Sequence, residues 1–226
     1  MTITHISDTH GVKLKTLQNY PADVLVHSGD FTQSRVHYET DTEEFLEWLS
    51  AQPFAIKILV AGNHDFYPYY SLSKFIKLLE KYPTIHYLQD SGITIYGVKF
   101  YGIPWTPPFY NWAFMANEVE LKTHFNKIPD DTTVLITHGP ADGTLDRGRS
   151  GYSVGSTALK TRIAQLSIKA HLFGHIHGTY SAEPIVTSAG YQASSASIMT
   201  EAYKPANNPV TIQITCDKEV TCAHSQ

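Results

Sequence analysis

The chain has 226 residues, of which 42% are hydrophobic and 17% are charged, and this composition excludes a mostly disordered protein. The length predicts one folded domain over residues 1–226. The formal net charge of −4 and the sequence pI near 6.3 argue against a long nucleic-acid groove, because such a groove needs an excess of lysine and arginine. A small anionic ligand would need a local source of positive charge.

We expect neither a membrane span nor a secretory signal from the sequence. It contains no run of about 18 apolar residues, so we expect no membrane span. The first predicted strand begins at Ile3, which leaves no room for a signal peptide, and we expect a cytoplasmic location. Cys216 and Cys222 have a spacing that matches neither a disulfide framework nor a common zinc motif.

Apolar runs rich in valine, isoleucine and aromatic residues alternate with amphipathic stretches along the chain. The apolar runs predict strands at residues 2–6, 23–27, 56–60, 99–103, 133–138, 170–174 and 210–215. The amphipathic stretches predict helices at residues 40–52, 71–82, 118–128 and 156–167. Thr40 and Glu43 have the spacing of a capping box at the start of the first helix. Strands that alternate with helices indicate an α/β domain.

Polar residues beside glycine or histidine follow five of the predicted strands. The motifs are Asp8-x-His10, Gly29-Asp30, Gly62-Asn63-His64-Asp65, His138-Gly139 and His175-x-His177. In open α/β sheets, ligands bind at the carboxyl ends of the strands. One histidine at a strand end is usually an ordinary packed or surface residue, but five such motifs in series predict a converging polar site.

The donor types in these motifs predict metal binding. The candidate ligands are Asp8, His10, Asp30, Asn63, His138, His175 and His177. Oxygen and imidazole donors without a thiolate suit Mn²⁺, our first expectation, and also Fe, Zn²⁺, Ni²⁺ or Co²⁺. Seven donors exceed what one ion with an open position needs, so we predict two ions bridged by Asp30. The D-x-H and H-x-H pairs are expected to point their donors the same way along extended backbone.

The series D-x-H, G-D, G-N-H-D, H and G-H-x-H resembles the calcineurin-like metallophosphoesterase superfamily. GIPWTPPFYNWAF (102–114), LITHGPADGTLD (135–146), LFGHIHGTY (172–180) and YKPANNPVTI (203–212) resemble its metallophosphoesterase-domain-containing branch. The resemblance covers the chain almost end to end. It implies a four-layer α/β/β/α sandwich of two mixed sheets, with the metals at one edge.

The resemblance also implies roles for the motif residues. One metal would be bound by Asp8, His10, Asp30 and His177, and the second by Asp30, Asn63, His138 and His175. A metal-bridging hydroxide would attack phosphorus in line with the leaving oxygen. We predict that His64 protonates the leaving group and that Asp65 orients its imidazole. The alternative for Asp65 is a turn or helix-cap residue.

Two further segments predict substrate contacts. Residues 102–114 contain three prolines and five aromatic residues, which fit neither a helix nor a central strand. The aromatic residues predicted to stack a nucleobase are Trp105, Phe109, Tyr110 and Trp112. The alternative is a stiff lid that packs its own aromatic rings. Arg147 and Arg149, in the loop 141–156, are predicted to meet a phosphate, with a solvated loop as the alternative.

These features predict a dimetal phosphodiesterase that acts on small phosphodiesters or nucleotides, with cyclic nucleotides favoured. A phosphomonoesterase or nucleotidase would use the same metals and is the first alternative. A non-catalytic interaction scaffold is the second alternative, but it predicts eroded motifs, and none is eroded here. The sequence leaves open the metal identity, the physiological substrate and the oligomeric state.

Overall fold

The computed structural model describes residues 1–15, 17–33 and 35–215. Cys216 and Cys222 lie outside these residues, and the expectation about them stays a prediction. The strands are β1 (Thr2–Ile6), β2 (Val24–His27), β3 (Ile56–Leu59), β4 (Ile85–Tyr87), β5 (Ser91–Ile95), β6 (Val98–Ile103), β7 (Val134–Thr137), β8 (Ala170–Phe173), β9 (Ile185–Val186), β10 (Gln192–Ser195) and β11 (Val210–Gln213). The helices are α1 (Tyr38–Ser50), α2 (Phe66–Tyr70), α3 (Leu72–Leu79), α4 (Glu118–Phe125) and α5 (Thr157–Ile163).

The strands form two mixed sheets. The first has the order β11-β1-β2-β3-β4, in which β1 to β4 run parallel and β11 is antiparallel to β1. The second has the order β5-β6-β7-β8-β10-β9. Its four central strands run parallel, while β5 and β9 are antiparallel edge strands. The seven predicted strands are all present, and β4, β5, β9 and β10 are additional.

Three hydrophobic clusters hold four layers together. The middle cluster packs the two sheets against each other, with Ile3 and Val26 on one side and Phe100 and Ile136 on the other. The second cluster joins the first sheet to α1, α2 and α3. The third joins the second sheet to α4 and α5. The predicted α/β/β/α sandwich is therefore confirmed, because each sheet buries both of its faces.

One predicted helix start is wrong. Helix α1 begins at Tyr38, so Thr40 lies within the helix rather than at its N-cap. The structure places a capping box at α4 instead. There the Asn117 side chain accepts from the backbone N–H groups of Val119 and Glu120, and the Glu120 carboxylate accepts from the Asn117 N–H at 3.0 Å. Across the described ranges, no helix is both long enough and apolar enough to cross a bilayer.

The parallel strands set the position of the site. Strands β1, β2 and β3 end at one edge of the first sheet, and β7 and β8 end at the facing edge of the second. Backbone hydrogen bonds continue beyond the strands, from Asp8 N–H to Gly29 O at 2.9 Å and from Gly174 N–H to His138 O at 2.9 Å. The loops after these five strands are therefore held side by side.

Candidate metal centre

The loops after the five strands bring together all seven predicted donors. Asp8, His10, Asp30, Asn63 and His138 are buried, and His175 and His177 are partly exposed. Among the described residues, there are three groups of potential ligand residues, and within each group the ligand atoms all lie within 4.8 Å of one another. They are Asp8 with His10 and His177, Asp30 with His138 and His175, and His10 with Asp30 and His64. Asp30 takes part in two of the groups, as a shared carboxylate must.

His177 is oriented toward the first group of donors. Its Nε2 lies 3.2 Å from Nε2 of His10 and 3.5 Å from Oδ1 of Asp8. Its Nδ1 lies 3.2 Å from the carbonyl oxygen of Thr200, which can only accept a hydrogen bond. This contact assigns the proton to Nδ1 and leaves the Nε2 lone pair directed at the other donors. Two facing imidazole nitrogens beside a carboxylate fit a bound cation.

His138 is oriented in the same way in the second group. Its Nδ1 lies 3.0 Å from the carbonyl oxygen of Ser28, so Nδ1 donates and Nε2 faces the site. Nε2 lies 3.3 Å from Oδ1 of Asp30 and 3.0 Å from Oδ1 of Asn63. The His175 ring centroid is 5.0 Å from that of His138. Asn63 therefore joins this group through its amide oxygen.

Charge within the site also fits a cation. Burial acts to raise the pKa of Asp8, but its hydrogen bond to His177 and the charges of His138 and His177 lower that pKa below its ordinary range. The pKa of Asp30 is likewise held well below its ordinary value, because the charge of His138 outweighs the effect of burial. Burial acts to lower the pKa of His138, but Asp30 raises it to about 9. The positive charge that keeps both buried carboxylates ionised comes from the protonated imidazoles of His138 and His177, whose pKa values are raised by Asp30 and Asp8. A divalent ion at these donors would replace the proton on Nε2 of each ring and supply that charge instead.

The donor pairs do not lie on extended backbone, and this part of the prediction is wrong. The backbone φ angle is positive at four donors: Asp8 (50°), His10 (44°), Asp30 (57°) and His175 (70°). The strands end before these residues, so the chain must turn sharply at the sheet edge to direct the donors toward a common point. Left-handed backbone at non-glycine residues is costly and concentrates at functional sites.

Two motif glycines are required by the close approach of the loops. A Cβ atom added to Gly62 would collide with Asp30 and with the His138 ring. A Cβ atom added to Gly174 would collide with Ser7 and Asp8. These glycines therefore let the loops of the two sheets approach closely enough for the donors to meet.

His64 lies beside the donors and is also buried. Its ring stands edge-on to His10, with centroids 4.6 Å apart, and its backbone N–H donates to Oδ1 of Asp30 at 2.8 Å. Its Nδ1 lies 3.4 Å from the carbonyl oxygen of Gln33. The imidazole is thus within reach of both the donors and a ligand bound to them. A role as acid and a role as ligand differ in one observable, the metal content of a His64 variant.

The predicted contact between Asp65 and the His64 imidazole is not what the structure has. The Asp65 carboxylate accepts instead from the backbone N–H groups of Asp30 (2.9 Å), Thr32 (2.9 Å) and Gly62 (2.7 Å). It also accepts from the Thr32 hydroxyl at 2.9 Å. These bonds use both carboxylate oxygens, so Asp65 ties the Asp30 loop to the Gly62 loop. This agrees with the alternative of a turn residue, and Asp65 stands at the N-cap position of α2.

Two of the predicted substrate aromatics are packed against other residues. Trp112 stacks on His64 with ring centroids 4.2 Å apart and an interplanar angle of 27°. Trp105 stacks on His124 at 4.3 Å and contacts Phe114 at 5.4 Å. The stacked face of each indole is therefore not available to a nucleobase. Trp105 also packs on Phe114 within its own loop, as the alternative predicts, whereas Trp112 packs on His64 outside the loop. Base stacking by the other face of either ring stays a prediction.

Phe109 lies at the rim of the site, whereas the other predicted contacts differ in position. Phe109 is 57% exposed and lines a cleft of about 630 Å³ that also contacts His175 and His177. Arg149 lines the same cleft, with its Nε 3.8 Å from Oε2 of Glu201. Tyr110 is 86% exposed, and Arg147 donates to the carbonyl oxygen of Gly151 within its own loop. Phe109 and Arg149 are therefore the predicted contacts that reach the cleft.

Sequence reasoning missed the groups that orient the donors. Ser28 and Thr200 act through backbone carbonyls, which every residue type carries, so no sequence signal marks them. The Ser7 hydroxyl donates to Oδ2 of Asp8, and its place beside the D-x-H motif is a signal that could have been used. Sequence reasoning also missed Arg35 beside the aromatic loop at residues 102–114. Its guanidinium lies 5.0 Å from the Trp112 ring centroid and donates to the Asn111 carbonyl.

The four-layer sandwich and the paired carboxylate–imidazole groups define the class of protein, an α/β fold with a candidate dinuclear metal centre. Comparison with known proteins supports this class. The model of the calcineurin-like phosphoesterase family matches residues 1–179. The chain is 34% identical over 234 residues to Metallophosphoesterase domain-containing protein 1 of Homo sapiens and to that of Mus musculus, covering 92% of this chain and 69% of each relative.

A solved structure agrees at the level of the fold. The protein TT1561 of Thermus thermophilus superposes with a TM-score of 0.66 at 13% identity, covering 86% of this chain and 88% of that one. The chain belongs to the calcineurin-like phosphoesterase family, and the predicted family and fold are confirmed. Its activity is that of a metal-dependent phosphoester hydrolase.

Proposed function

We propose that the protein is a phosphodiesterase that hydrolyses small phosphodiesters, with cyclic nucleotides as the favoured class. The observation that supports this proposal is the cleft beside His175 and His177. Its volume of about 630 Å³ is typical of small-ligand sites. A phosphodiester carries two organic substituents, and the cleft offers one of them an apolar wall of Pro107, Pro108 and Phe109 while the phosphoryl group stays at the donors.

The charges that line the cleft supply no net positive charge for the second negative charge of a dianion. Glu201 contributes a carboxylate to the wall, and Arg149 lies 3.8 Å from it at its Nε. This pair is exposed, so each charge offsets much of the other and neither binds strongly. A phosphomonoester is largely a dianion near neutral pH, whereas a diester carries one charge. Because Arg149 offsets Glu201, the cleft wall offers no net positive charge to bind the second negative charge of a monoester.

The motif residues take the following roles in this proposal. Asp8, His10, Asp30 and His177 would bind one divalent ion, and Asp30, Asn63, His138 and His175 the other. When bound, the ions neutralise phosphoryl charge and lower the pKa of a water molecule. His64 donates a proton to the leaving oxygen, and Trp112 holds the His64 ring in place by stacking on it. Manganese is the first metal to supply.

A substrate panel tests the proposal. The protein, loaded with Mn²⁺, is assayed against bis-p-nitrophenyl phosphate, p-nitrophenyl phosphate and the 2′,3′- and 3′,5′-cyclic nucleotides. We expect kcat/KM to be higher for the aryl diester than for the aryl monoester, and measurable turnover of at least one cyclic nucleotide. Faster turnover of the monoester would contradict the proposal and indicate a phosphomonoesterase or nucleotidase. Asp30→Asn serves as the control for contaminating activity.

A further inference from the structure

Tyr203 lies beside the donors in a turn that carries none of the metal-binding motifs. The Tyr203 N–H donates to the Thr200 carbonyl at 2.8 Å, and the Thr200 N–H donates to the Lys204 carbonyl at 2.9 Å. The Thr200 carbonyl is also the group that faces Nδ1 of His177. The turn that presents Tyr203 is therefore joined directly to a predicted metal ligand.

The Tyr203 ring covers two of the donors from the solvent side. Its centroid is 5.2 Å from that of His10 and 4.8 Å from that of His177. The residue is nevertheless 51% exposed. One part of the ring thus contacts the imidazoles while the rest is exposed to solvent beside the donors.

The backbone at Tyr203 is in a costly conformation. Its φ angle is +53°, in the left-handed region that bulky residues rarely adopt. Glycine or asparagine would form the same turn with less strain. Adjacent segments of the chain hold the turn in place, since the Asn207 amide donates to the Ser197 carbonyl at 2.9 Å. Such strain persists where surrounding structure enforces it, and it is frequent at ligand sites.

The hydroxyl of Tyr203 is available to a ligand. Among residues 1–15, 17–33 and 35–215, none forms a hydrogen bond with it. The phenol is a neutral hydrogen-bond donor near pH 7, and a phosphoryl oxygen is a strong acceptor. A ring that only shielded the histidines would need no hydroxyl, and phenylalanine would serve equally.

We propose that Tyr203 is a substrate-binding residue whose hydroxyl donates a hydrogen bond to a non-bridging phosphoryl oxygen of the bound ester. This inference rests on phosphoester hydrolysis at the donors, but not on the preference for diesters. It adds to the site a neutral hydrogen-bond donor on the side formed by His10 and His177, whereas the ionised carboxylates can only accept hydrogen bonds.

The test measures binding of inorganic phosphate to the full chain loaded with Mn²⁺, by isothermal titration calorimetry. Tyr203→Phe should weaken phosphate binding about 10-fold, the effect of losing one hydrogen bond to a charged group. Its metal content should equal that of the wild type. Tyr96→Phe is the matched control, because Tyr96 also has a positive φ (+48°) and is 63% exposed, but it lies in the turn before β6. Its phosphate affinity should not change.

A second variant separates binding from packing. Tyr203→Asn suits the left-handed backbone, so we expect it to fold with an unchanged or higher melting temperature and to bind phosphate as weakly as Tyr203→Phe. Unchanged phosphate affinity in Tyr203→Phe, or a loss of metal in that variant, would overturn the proposal, as would a metal-loaded wild type that binds no phosphate. If the wild type binds phosphate but prefers monoesters, the phosphodiesterase proposal fails while phosphate affinity still decides the role of Tyr203.

Discussion

The loops that follow the parallel strands and the aromatic loop at residues 102–114 border the same site, but they hold their side chains in different ways. In the strand-end loops, each functional side chain is positioned by directional contacts, such as the Ser28 carbonyl on His138 and the His64 N–H on Asp30. In the aromatic loop, the rings are held by packing, and their exposure ranges from 1% for Phe114 to 86% for Tyr110. A buried charge tolerates few arrangements, whereas an aromatic ring is accommodated by many apolar surfaces.

The two regions are also in direct contact. The Ala113 N–H donates to the Asn63 carbonyl at 3.1 Å, and Trp112 stacks on His64. The aromatic loop therefore supports the strand-end loop that carries His64. If the contrast is correct, changes in the strand-end loops should alter metal binding or chemistry, and changes in the aromatic loop should alter positioning, stability or KM.

The largest effect is expected from Asp30→Asn. This change removes the carboxylate shared by two donor groups, so hydrolysis should fall to background and elemental analysis should find fewer than two metal ions per chain. Chelation of the wild type should have the same effect, and added Mn²⁺ should restore activity to the wild type alone. Asp131→Asn, which breaks an exposed ion pair with Lys99, is the control and should be fully active. Full metal content in Asp30→Asn would contradict a bridging role.

His64→Ala should have the next largest effect. Loss of a positioned proton donor should lower kcat by about 10²–10⁴-fold, with metal content near that of the wild type. The deficit should shrink for nitrophenyl esters, because a nitrophenolate leaves with little need of a proton. Asn63→Ala should instead deplete one metal ion. Loss of metal in His64→Ala, or an equal deficit for good and poor leaving groups, would assign His64 to the ligands or to phosphate binding.

The two tryptophans of the aromatic loop should differ from each other. Trp112→Ala removes the ring stacked on His64 and should lower kcat about 10-fold for esters with a poor leaving group, with less effect on nitrophenyl esters. Trp105→Ala removes a ring packed on His124 and Phe114, so it should lower the free energy of unfolding by about 2–3 kcal/mol and leave that leaving-group dependence unchanged. The measurements are kcat for esters with good and poor leaving groups and the free energy of unfolding by denaturant, for both variants. Identical behaviour of the two variants would show that Trp112 merely packs.

The smallest effect is expected at the rim of the cleft. Phe109→Ala should raise KM for nucleotide substrates by about 5-fold, the lower end of what one base–aromatic stack contributes. The KM for bis-p-nitrophenyl phosphate should rise less. Tyr110→Ala serves as the neighbouring control, because Tyr110 is almost fully exposed and lies outside the residues that line the cleft. Equal changes in both variants would favour a general effect on the loop.

Residue pattern was sufficient to locate the donors because parallel strands constrain where their ends lie. Seven donors placed after five strands could converge at one edge only if those strands ran parallel in facing sheets, and they do. Four of the five α-helices in the described residues were also predicted as elements, and α2 was missed. The helix ends were not predicted, as Thr40 and Asn117 illustrate. A capping box depends on which residue leaves the helical conformation first, and sequence spacing alone does not specify that residue.

Asp65 and Trp112 show contacts that pattern reasoning did not name. Each was assigned a partner by proximity in sequence or by residue type, and in the structure each contacts a group from another loop. Asp65 lies next to His64 in the chain, but its carboxylate bonds the backbone of residues 30–32, which reach it from another strand. Trp112 is suited to stack a nucleobase, and one face of its indole stacks on the His64 ring. Both partners come from loops that are distant in sequence.

Residue type and local periodicity were enough to predict the α/β class, the order of the strands' polar ends and the seven candidate donors. Three-dimensional packing was needed to establish which donors share a group, which nitrogen of His138 and His177 faces the site, and that Tyr203 lies over His10 and His177. Those features depend on backbone carbonyls, left-handed turns and the separation of loops from different strands. Such quantities are fixed by contacts between distant segments, and no local pattern encodes them.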